Sequence, residues 1–201
     1  MGVEEIAAED RSGIFVTGAI VDVETTGFSP EYDEIIEICI ILFVFNRETG
    51  VVSQIIEEYV GLREPACGIR PGAARVNGIT VADVQGRDLD YAKVSAILEQ
   101  AEFLIAHNAS FDRGFLVRLF PQVAIKSWFC SMSGINWRGK GFPNRRLQDL
   151  LSCHDIRPGR AHRARDDVRA TLELLSFSQE WGATYLSELL IGRRMKANKR
   201  R

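Results

Sequence analysis

Two acidic residues, Asp22 and Glu24, alternate with Val21 and Val23 in the segment IVDVETTG, residues 20–27. In a β-strand this period of two places both carboxylates on one side and both valines on the other. Neighbouring like charges raise each other's pKa, so the pair is costly unless a cation lies between them. Oxygen ligands of this kind suit Mg²⁺ or Mn²⁺. The alternative is an exposed strand edge with two solvated acids, and this segment alone does not decide between them.

Alternating and continuous apolar segments predict the strands that would position these acids. We expect five strands, over residues 13–23, 34–45, 51–60, 103–106 and 126–130. The second is apolar along nearly its whole length, which indicates burial on both faces. Residues 46–50 (NRETG) are typical of a hairpin loop, so the first three strands should form an antiparallel meander.

Helical spacing, with start and stop residues, predicts the remaining elements. Pro71 suits a helix start and Gly78 its end, and Thr80 with Asp83 resembles a capping box. Further helices are expected over residues 90–100, 115–120, 147–151, 164–177 and 183–191. The order β-β-β-α-β-α-β-α predicts an α/β fold with a mixed sheet flanked by helices, without a second domain or internal repeats.

The composition is that of an ordinary globular chain, with 46% hydrophobic and 26% charged residues among 201. A net charge of -2 gives no overall attraction to nucleic acid, so any such binding must rest on local patches. Four cysteines without CxxC spacing argue against a zinc site and against a secreted disulfide framework. The acidic segment 1–12 lacks an apolar signal core, and the longest apolar run, 38–45, is too short to cross a bilayer. We therefore expect a cytoplasmic protein that does not bind membranes.

Three motifs occur in a fixed order: DVETTG at residues 22–27, HNASFD at 107–112 and HRARDD at 162–167. Together they resemble the motifs of the DEDDh (DnaQ-like) 3′–5′ exonucleases. That family includes ribonuclease T, oligoribonuclease and the proofreading epsilon subunit of bacterial DNA polymerase III, to which the motifs are most similar. The resemblance runs from about residue 13 to 175. It implies a ribonuclease H-like α/β fold with a five-stranded mixed sheet.

The resemblance also implies a catalytic site. Four carboxylates would hold two divalent cations, Mg²⁺ or Mn²⁺: Asp22, Glu24, Asp112 and Asp167. His162 would be the general base for the attacking water, a role that suits an imidazole titrating near neutral pH. His107 is expected to hold the loop before Asp112, and His154 to be a surface residue.

The choice of the fourth carboxylate depends on where a helix begins. In one continuous helix, His162 and Asp166 would share a face at positions i and i+4. The resemblance instead places the metal-binding aspartate five positions after the histidine, at Asp167. This spacing requires His162 to lie in a loop before the helix, as the Pro158-Gly159 pair upstream indicates. Asp166 would then face outward.

Substrate contacts also follow from the resemblance. The expected substrate-binding residues are Thr25, Thr26, Gly27, Phe28, Asn77, Ile79, His107, Asn108 and Phe111. The backbone of residues 25–27 should approach the terminal nucleotide, because glycine permits close contact. Phe28 and Phe111 would flank the last base, although Phe111 could instead belong to the core. Residues 76–80 (VNGIT) resemble the segment beside the terminal nucleotide, with Asn77 where relatives often have histidine. Asn108 would bridge to substrate or cap the next helix.

Basic segments are the other candidates for contact with nucleic acid. The arginine clusters at residues 145–146 and 157–165 would contact phosphates or form an ordinary charged rim. We expect the chain to divide into a flexible leader (1–12), an exonuclease domain (13–191) and a basic tail (192–201). That tail would attract phosphates in a salt-sensitive way or simply add solubility.

We therefore predict a metal-dependent exonuclease that releases nucleoside 5′-monophosphates from the 3′ end of single-stranded DNA, in proofreading or repair. A DNA polymerase subunit is the candidate protein partner. One alternative is an RNA 3′-processing exoribonuclease similar to ribonuclease T or oligoribonuclease. A second is a non-catalytic nucleic-acid-binding module of a polymerase assembly, which the presence of all four acids and the histidine disfavours.

Overall fold

The computed structural model describes residues 14–191 except Glu48, Pro158, Glu180 and Trp181. The expected leader and basic tail, and the helix-breaking Pro158, lie outside the described residues. In chain order the elements are β1 (Phe15–Thr25), β2 (Ile35–Asn46), β3 (Val51–Leu62), α1 (Pro71–Asn77), α2 (Val81–Val84), α3 (Tyr91–Gln100), β4 (Phe103–Ala106), α4 (Ala109–Leu119), β5 (Ser127–Cys130), α5 (Ser131–Gly134), α6 (Leu147–Cys153), α7 (Ala164–Ser176) and α8 (Tyr185–Ile191). Two 3₁₀ helices lie at Pro121–Ala124 and Arg138–Lys140. None of the described helices is long and apolar enough to cross a membrane.

The five strands form one mixed sheet in the order β3-β2-β1-β4-β5. β1 and β3 each pair antiparallel with β2, whereas β4 is parallel to β1 and β5 is parallel to β4. The predicted meander and the predicted α/β class are both confirmed. β1, which carries the two acids, is the central strand.

Helices cover both faces of the sheet, and the side chains of β1 point alternately to one face and the other. Val16 and Ile20 pack in one core cluster with residues of α6, α7 and α8. Val21 and Val23 pack in a second cluster with residues of α3 and α4. Because side chains two positions apart share a face, Asp22 lies on the side of the sheet that α7 covers. β2 contributes apolar side chains to both clusters, as predicted for a strand buried on both faces.

The end of β1 differs from the prediction. The strand continues past Val23 to Thr25, because β2 still offers it pairing partners. Glu24 lies opposite Glu37, and a register shift follows before Thr25 lies opposite Ile35. Both acids of the first motif are therefore held in a hydrogen-bonded strand. The helix α5 was not predicted, because four residues are too few to show apolar periodicity.

The expectation that His154 is a surface residue was wrong. Its Nδ1 lies 2.7 Å from the carbonyl oxygen of Leu150 and its Nε2 lies 3.0 Å from the hydroxyl of Tyr185. The ring stacks on Phe142 at 4.8 Å and meets the edge of Phe177 at 4.9 Å. A flat imidazole with both nitrogens satisfied is accommodated in such an aromatic cluster. These surroundings of His154 form only in the folded protein, where residues of α6 and α8 come together.

Candidate active site

Three carboxylates converge beside the carboxyl end of β1. Asp22 and Glu24 lie on the strand, and Asp167 lies in the first turn of α7. One carboxylate oxygen from each lies within 4.8 Å of the others. Three clustered carboxylate oxygens are the hard ligands that Mg²⁺ and Mn²⁺ favour, so this donor set fits a divalent cation.

The electrostatics of the cluster also fit a cation. Burial raises the pKa of Asp22 well above its ordinary value, and the charges of Asp112, Glu24 and Asp167 raise it further. Burial, followed by the charges of Asp167 and Glu37, raises the pKa of Glu24 to about 8. Burial likewise raises the pKa of Asp167. These acids repel one another in a poorly solvated place, and positive charge between them would remove that cost.

Asp112 approaches β1 from the first turn of α4. Only 2% of its surface is exposed, and its Oδ1 accepts a hydrogen bond from the backbone N–H of Val23 at 3.2 Å. Burial raises its pKa to about 7, against the effect of backbone hydrogen bonds. Asp112 is not one of the three that lie within 4.8 Å of one another. The structure thus brings together three of the four predicted acids, with the fourth beside them.

His162 lies before α7, in the loop that the predicted Asp167 assignment requires. Its backbone N–H donates to Oδ2 of Asp167 at 3.1 Å, and α7 begins only at Ala164. His162 has a φ of 59°, a left-handed conformation that is unusual outside glycine. The carboxylate of Asp166 instead accepts a hydrogen bond from the backbone N–H of Arg160 at 2.6 Å, away from the cluster.

Glu37 is a supporting residue that sequence analysis missed. It is 2% exposed on β2, and its Oε2 accepts hydrogen bonds at 3.0 Å from the backbone N–H of Ala164 and from Nε of Arg163. The carboxylate therefore caps the start of α7, where the helix dipole favours negative charge. The sequence signal that could have identified Glu37 is that it is the single acid in the otherwise largely apolar β2. Gln148 was also missed, and its amide donates to Oδ1 of Asp167 at 3.1 Å.

The acids open into a cleft of about 580 Å³. Seven predicted substrate-binding residues line it, namely Thr25, Gly27, Phe28, Asn77, His107, Asn108 and Phe111, together with His162. The Phe28 ring is 80% exposed and meets Phe111 edge-on at 6.5 Å. Phe111 also contacts the buried Phe115 at 4.9 Å, so it belongs to both the cleft wall and the core. Asn108 occupies the N-cap position of α4, as its alternative role predicts, but its side chain makes no cap hydrogen bond there.

A family model described as "Exonuclease" matches residues 19–175, which is most of the chain and all of the clustered acids. This chain belongs to that exonuclease family.

Individual relatives include proteins whose names or solved complexes refer to DNA. It is 29% identical over 198 residues to the PolC-type DNA polymerase III of Thermotoga petrophila, covering 90% of this chain and 13% of the polymerase. It is 25% identical to exonuclease X solved in complex with 5′ overhanging duplex DNA, with a TM-score of 0.60 over 84% of this chain and 98% of that one. Exonuclease I of E. coli, solved with a dT13 oligonucleotide, has the same fold, with 22% identity and a TM-score of 0.61 over 80% of this chain and 40% of that one. The exonuclease thus spans about an eighth of the polymerase relative.

Thr26 of the exonuclease does not reach the cleft, contrary to expectation. Its backbone N–H donates to the carbonyl of Glu34 at 2.9 Å, and its carbonyl accepts from the N–H of Arg70 at 3.0 Å. Its side chain is fully buried. Since both backbone groups are occupied within the protein, they are not available to a nucleotide. Thr25 and Gly27 on either side do line the cleft.

Ile79 is a second correction, whereas Asn77 lines the cleft as expected. Ile79 is buried and packed with Ile36 and Val84, and it is not among the described residues that line the cleft. Asn77 lines the cleft but is also buried, and its Oδ1 accepts from the backbone N–H of Ile79 at 2.9 Å. Hydrogen bonding from the Asn77 amide opposes the rise in the pKa of Glu24. Asn77 therefore supports the end of β1 while lining the cleft.

Gly27 is required by a close approach within the turn after β1. A Cβ at this position would lie 2.5 Å from the carboxylate oxygens of Asp33. Asp33 accepts hydrogen bonds from the backbone N–H of Ser29 at 2.9 Å and from Nε of Arg70 at 2.7 Å. Although burial opposes it, the bond from Arg70 lowers the pKa of Asp33. An ionised Asp33 thus fixes the turn that forms one wall of the cleft.

His107 holds the loop before Asp112, as expected, and does so in a neutral form. Its Nδ1 lies 2.9 Å from Oγ of Ser131 and its Nε2 lies 3.0 Å from the carbonyl oxygen of Arg145. A carbonyl can only accept, so Nε2 carries the proton. Burial lowers the pKa of His107 to about 4. The ring therefore joins the end of β4 to the segment that carries Arg145.

Proposed function

We propose that this chain is a metal-dependent 3′–5′ exonuclease that releases nucleoside 5′-monophosphates from the 3′ end of single-stranded DNA. The observation that carries the proposal is the cluster of Asp22, Glu24 and Asp167 in a cleft that His162 also lines. Membership of an exonuclease family supports the same reaction.

Asp22, Glu24 and Asp167, with Asp112 beside them, would hold two divalent cations, Mg²⁺ or Mn²⁺. When bound, such ions activate water and stabilise the charge on the leaving 3′ oxygen. The carboxylates would contribute the negative charge and fixed positions that this requires. β1, α4 and α7 supply them from three separate elements, so the cluster is held by the packed fold.

His162 would accept the proton of the attacking water. Its side chain is exposed at the cleft, where an imidazole nitrogen can accept a proton from water. The hydrogen bond from its backbone N–H to Asp167 would keep the ring near the acids. The left-handed backbone at this residue costs on the order of 1–3 kcal/mol and persists only where the surroundings impose it.

Phe28 and Phe111 would flank the terminal base. Stacking on aromatic rings is tolerant of base identity, which suits an enzyme that removes nucleotides one after another. DNA is favoured because the relatives' names refer to a DNA polymerase and to complexes with DNA. By the same reasoning, the protein partner would be a DNA polymerase assembly, and the activity would serve proofreading or repair.

The test compares matched single-stranded DNA and RNA oligonucleotides in Mg²⁺ or Mn²⁺, with product analysis for 5′-monophosphates. We expect progressive shortening of DNA from the 3′ end, abolished by EDTA and by Asp22→Asn. Faster degradation of RNA would favour the exoribonuclease alternative. Binding of the strand without any cleavage would favour the non-catalytic alternative, and undiminished cleavage in excess chelator would contradict the role of metal.

A further inference from the structure

A second groove of about 970 Å³ continues from the cleft along the segment between β5 and α6. Met132 and Arg146 line both the cleft and the groove, so the two are joined. The acidic cleft contrasts with this groove, because among the described residues no carboxylate lines it. Three arginines do, namely Arg138, Arg145 and Arg146, and all three are exposed.

These three guanidinium groups have no ion-pair or hydrogen-bond partner within the part of the chain that the structure describes. Arginines of the other basic segment differ. Arg163 is bound to Glu37, and Arg165 is bound to Glu58 at 2.8 Å. The two arginine clusters in the sequence are therefore not equivalent, since carboxylates already hold part of one and leave the other free.

The groove is built so that its charges keep a fixed relation to the cleft. The carbonyl of Arg145 accepts the hydrogen bond from His107, which itself lines the cleft. Oδ1 of Asn144 accepts from the backbone N–H of Arg146 at 2.7 Å, and its amide donates to Asp149 at 2.7 Å. Backbone and amide groups thus shape this wall, while the guanidinium groups extend from it.

The floor of the groove offers little to a base. Among the described residues that line it, the one aromatic ring is that of Trp137, which is 1% exposed and donates its Nε1–H to the carbonyl of Ser131 at 2.8 Å. A strand in this groove would therefore be held through its phosphates, which carry no sequence information.

Resting on the proposed function, we propose that the groove binds the phosphates of nucleotides that precede the 3′ terminal nucleotide in a single strand. Arg138, Arg145 and Arg146 would offset the repulsion between the strand and the acidic cleft. The enzyme would then prefer strands long enough to reach from the cleft into the groove, independently of their base sequence.

The experiment measures binding of oligothymidylates of about four and about sixteen nucleotides. It uses the Asp22→Asn protein without further change and with Arg138→Ala and Arg145→Ala together, two residues that do not line the cleft. The matched control removes the same charge through Arg87→Ala and Arg118→Ala, whose residues line neither the cleft nor the groove. Thermal unfolding of each variant checks that it folds.

For the longer strand, removing one arginine that binds a phosphate lowers the slope of log K against log salt by about 0.7. The double groove variant should therefore have a slope smaller by about 1.4, which is about a sevenfold difference across a fourfold change in salt. The control should keep the parent slope, and the shorter strand should bind all three proteins alike. An unchanged slope for the groove variant, or an equal decrease in the control, would overturn the proposal. Failure to hydrolyse any DNA or RNA would instead contradict the proposed function, because this test measures binding alone.

Discussion

Glu37 and Arg163 form a two-pronged ion pair that links the second strand of the sheet to the residue next to His162. Nε of Arg163 lies 3.0 Å from Oε2 of Glu37, and its terminal nitrogen lies 2.5 Å from Oε1. Oε2 also caps Ala164. Through this pair the sheet fixes where α7 starts, and thereby the positions of His162 and Asp167.

Replacing the carboxylate of this pair should affect both stability and activity. Glu37→Gln leaves Arg163 and the start of α7 without a charged acceptor, so we expect a decrease of about 1–3 kcal/mol in the free energy of unfolding. Turnover and Mn²⁺ affinity should also fall, because Asp167 is less firmly held. Chemical denaturation, kinetics and metal titration measure these effects. Glu58→Gln is the control, since Glu58 pairs with exposed Arg165 and Arg169 at the surface and should cost less than about 1 kcal/mol. Equal decreases in both variants would contradict the positioning role.

Two neighbouring aspartates should differ strongly in their response to the same change. Asp167→Asn should lower turnover by orders of magnitude and weaken metal binding, because it removes a member of the carboxylate cluster. Asp166→Asn should retain most activity, since its carboxylate is bonded to the backbone of Arg160 outside that cluster. Steady-state kinetics and Mn²⁺ titration of both proteins decide the matter. The reverse ranking would show that the fourth carboxylate is misassigned.

The metal-free protein should become less stable as the pH rises. Glu24 and Asp112 have pKa values of about 8 and about 7 in the fold, above those of an unfolded chain. The native state therefore binds more protons at these two acids, so their contribution to stability is full below about pH 4 and is lost as the pH rises through those values. In EDTA, Tm should fall between about pH 6.5 and 8.5, where His107 no longer titrates, and Mg²⁺ or Mn²⁺ should reverse the fall. Asp22→Asn should raise Tm in EDTA at the upper end of this range by relieving repulsion. A Tm in EDTA that does not change with pH would argue against raised pKa values for Glu24 and Asp112.

His107 should give the opposite dependence at lower pH. Its pKa is lowered to about 4 in the fold, below the value of about 6.5 in an unfolded chain. The native state therefore binds fewer protons, so this contribution is present above about pH 6.5 and is lost as the pH falls through about 4. Relative to His107→Gln, the wild-type protein should lose up to about 3 kcal/mol over this range. Denaturation at several pH values measures the difference, and a constant difference would mean that the ring is not held neutral.

The sequence predicted the features of this exonuclease that depend on local pattern. Alternating and continuous apolar segments predicted all five strands and the meander, because the periodicity of a strand depends only on consecutive residues. The motifs predicted the three acids that converge from β1 and α7. Features that depend on distant contacts were missed. Glu37 meets Arg163 only after folding. The backbone groups of Thr26 are hydrogen-bonded to those of Glu34 and Arg70. The free arginines differ from the paired ones because only the paired ones have carboxylate neighbours in the fold.

The order in which the elements occur along the chain has a consequence for synthesis on the ribosome. Asp22 and Glu24 emerge early, but Asp167 follows only after the whole sheet has been translated. A nascent chain that ends before α7 also lacks the helix that covers one face of β1. Such a chain has an incomplete carboxylate cluster and lacks His162. The carboxylate cluster would therefore be complete only once α7 has been translated.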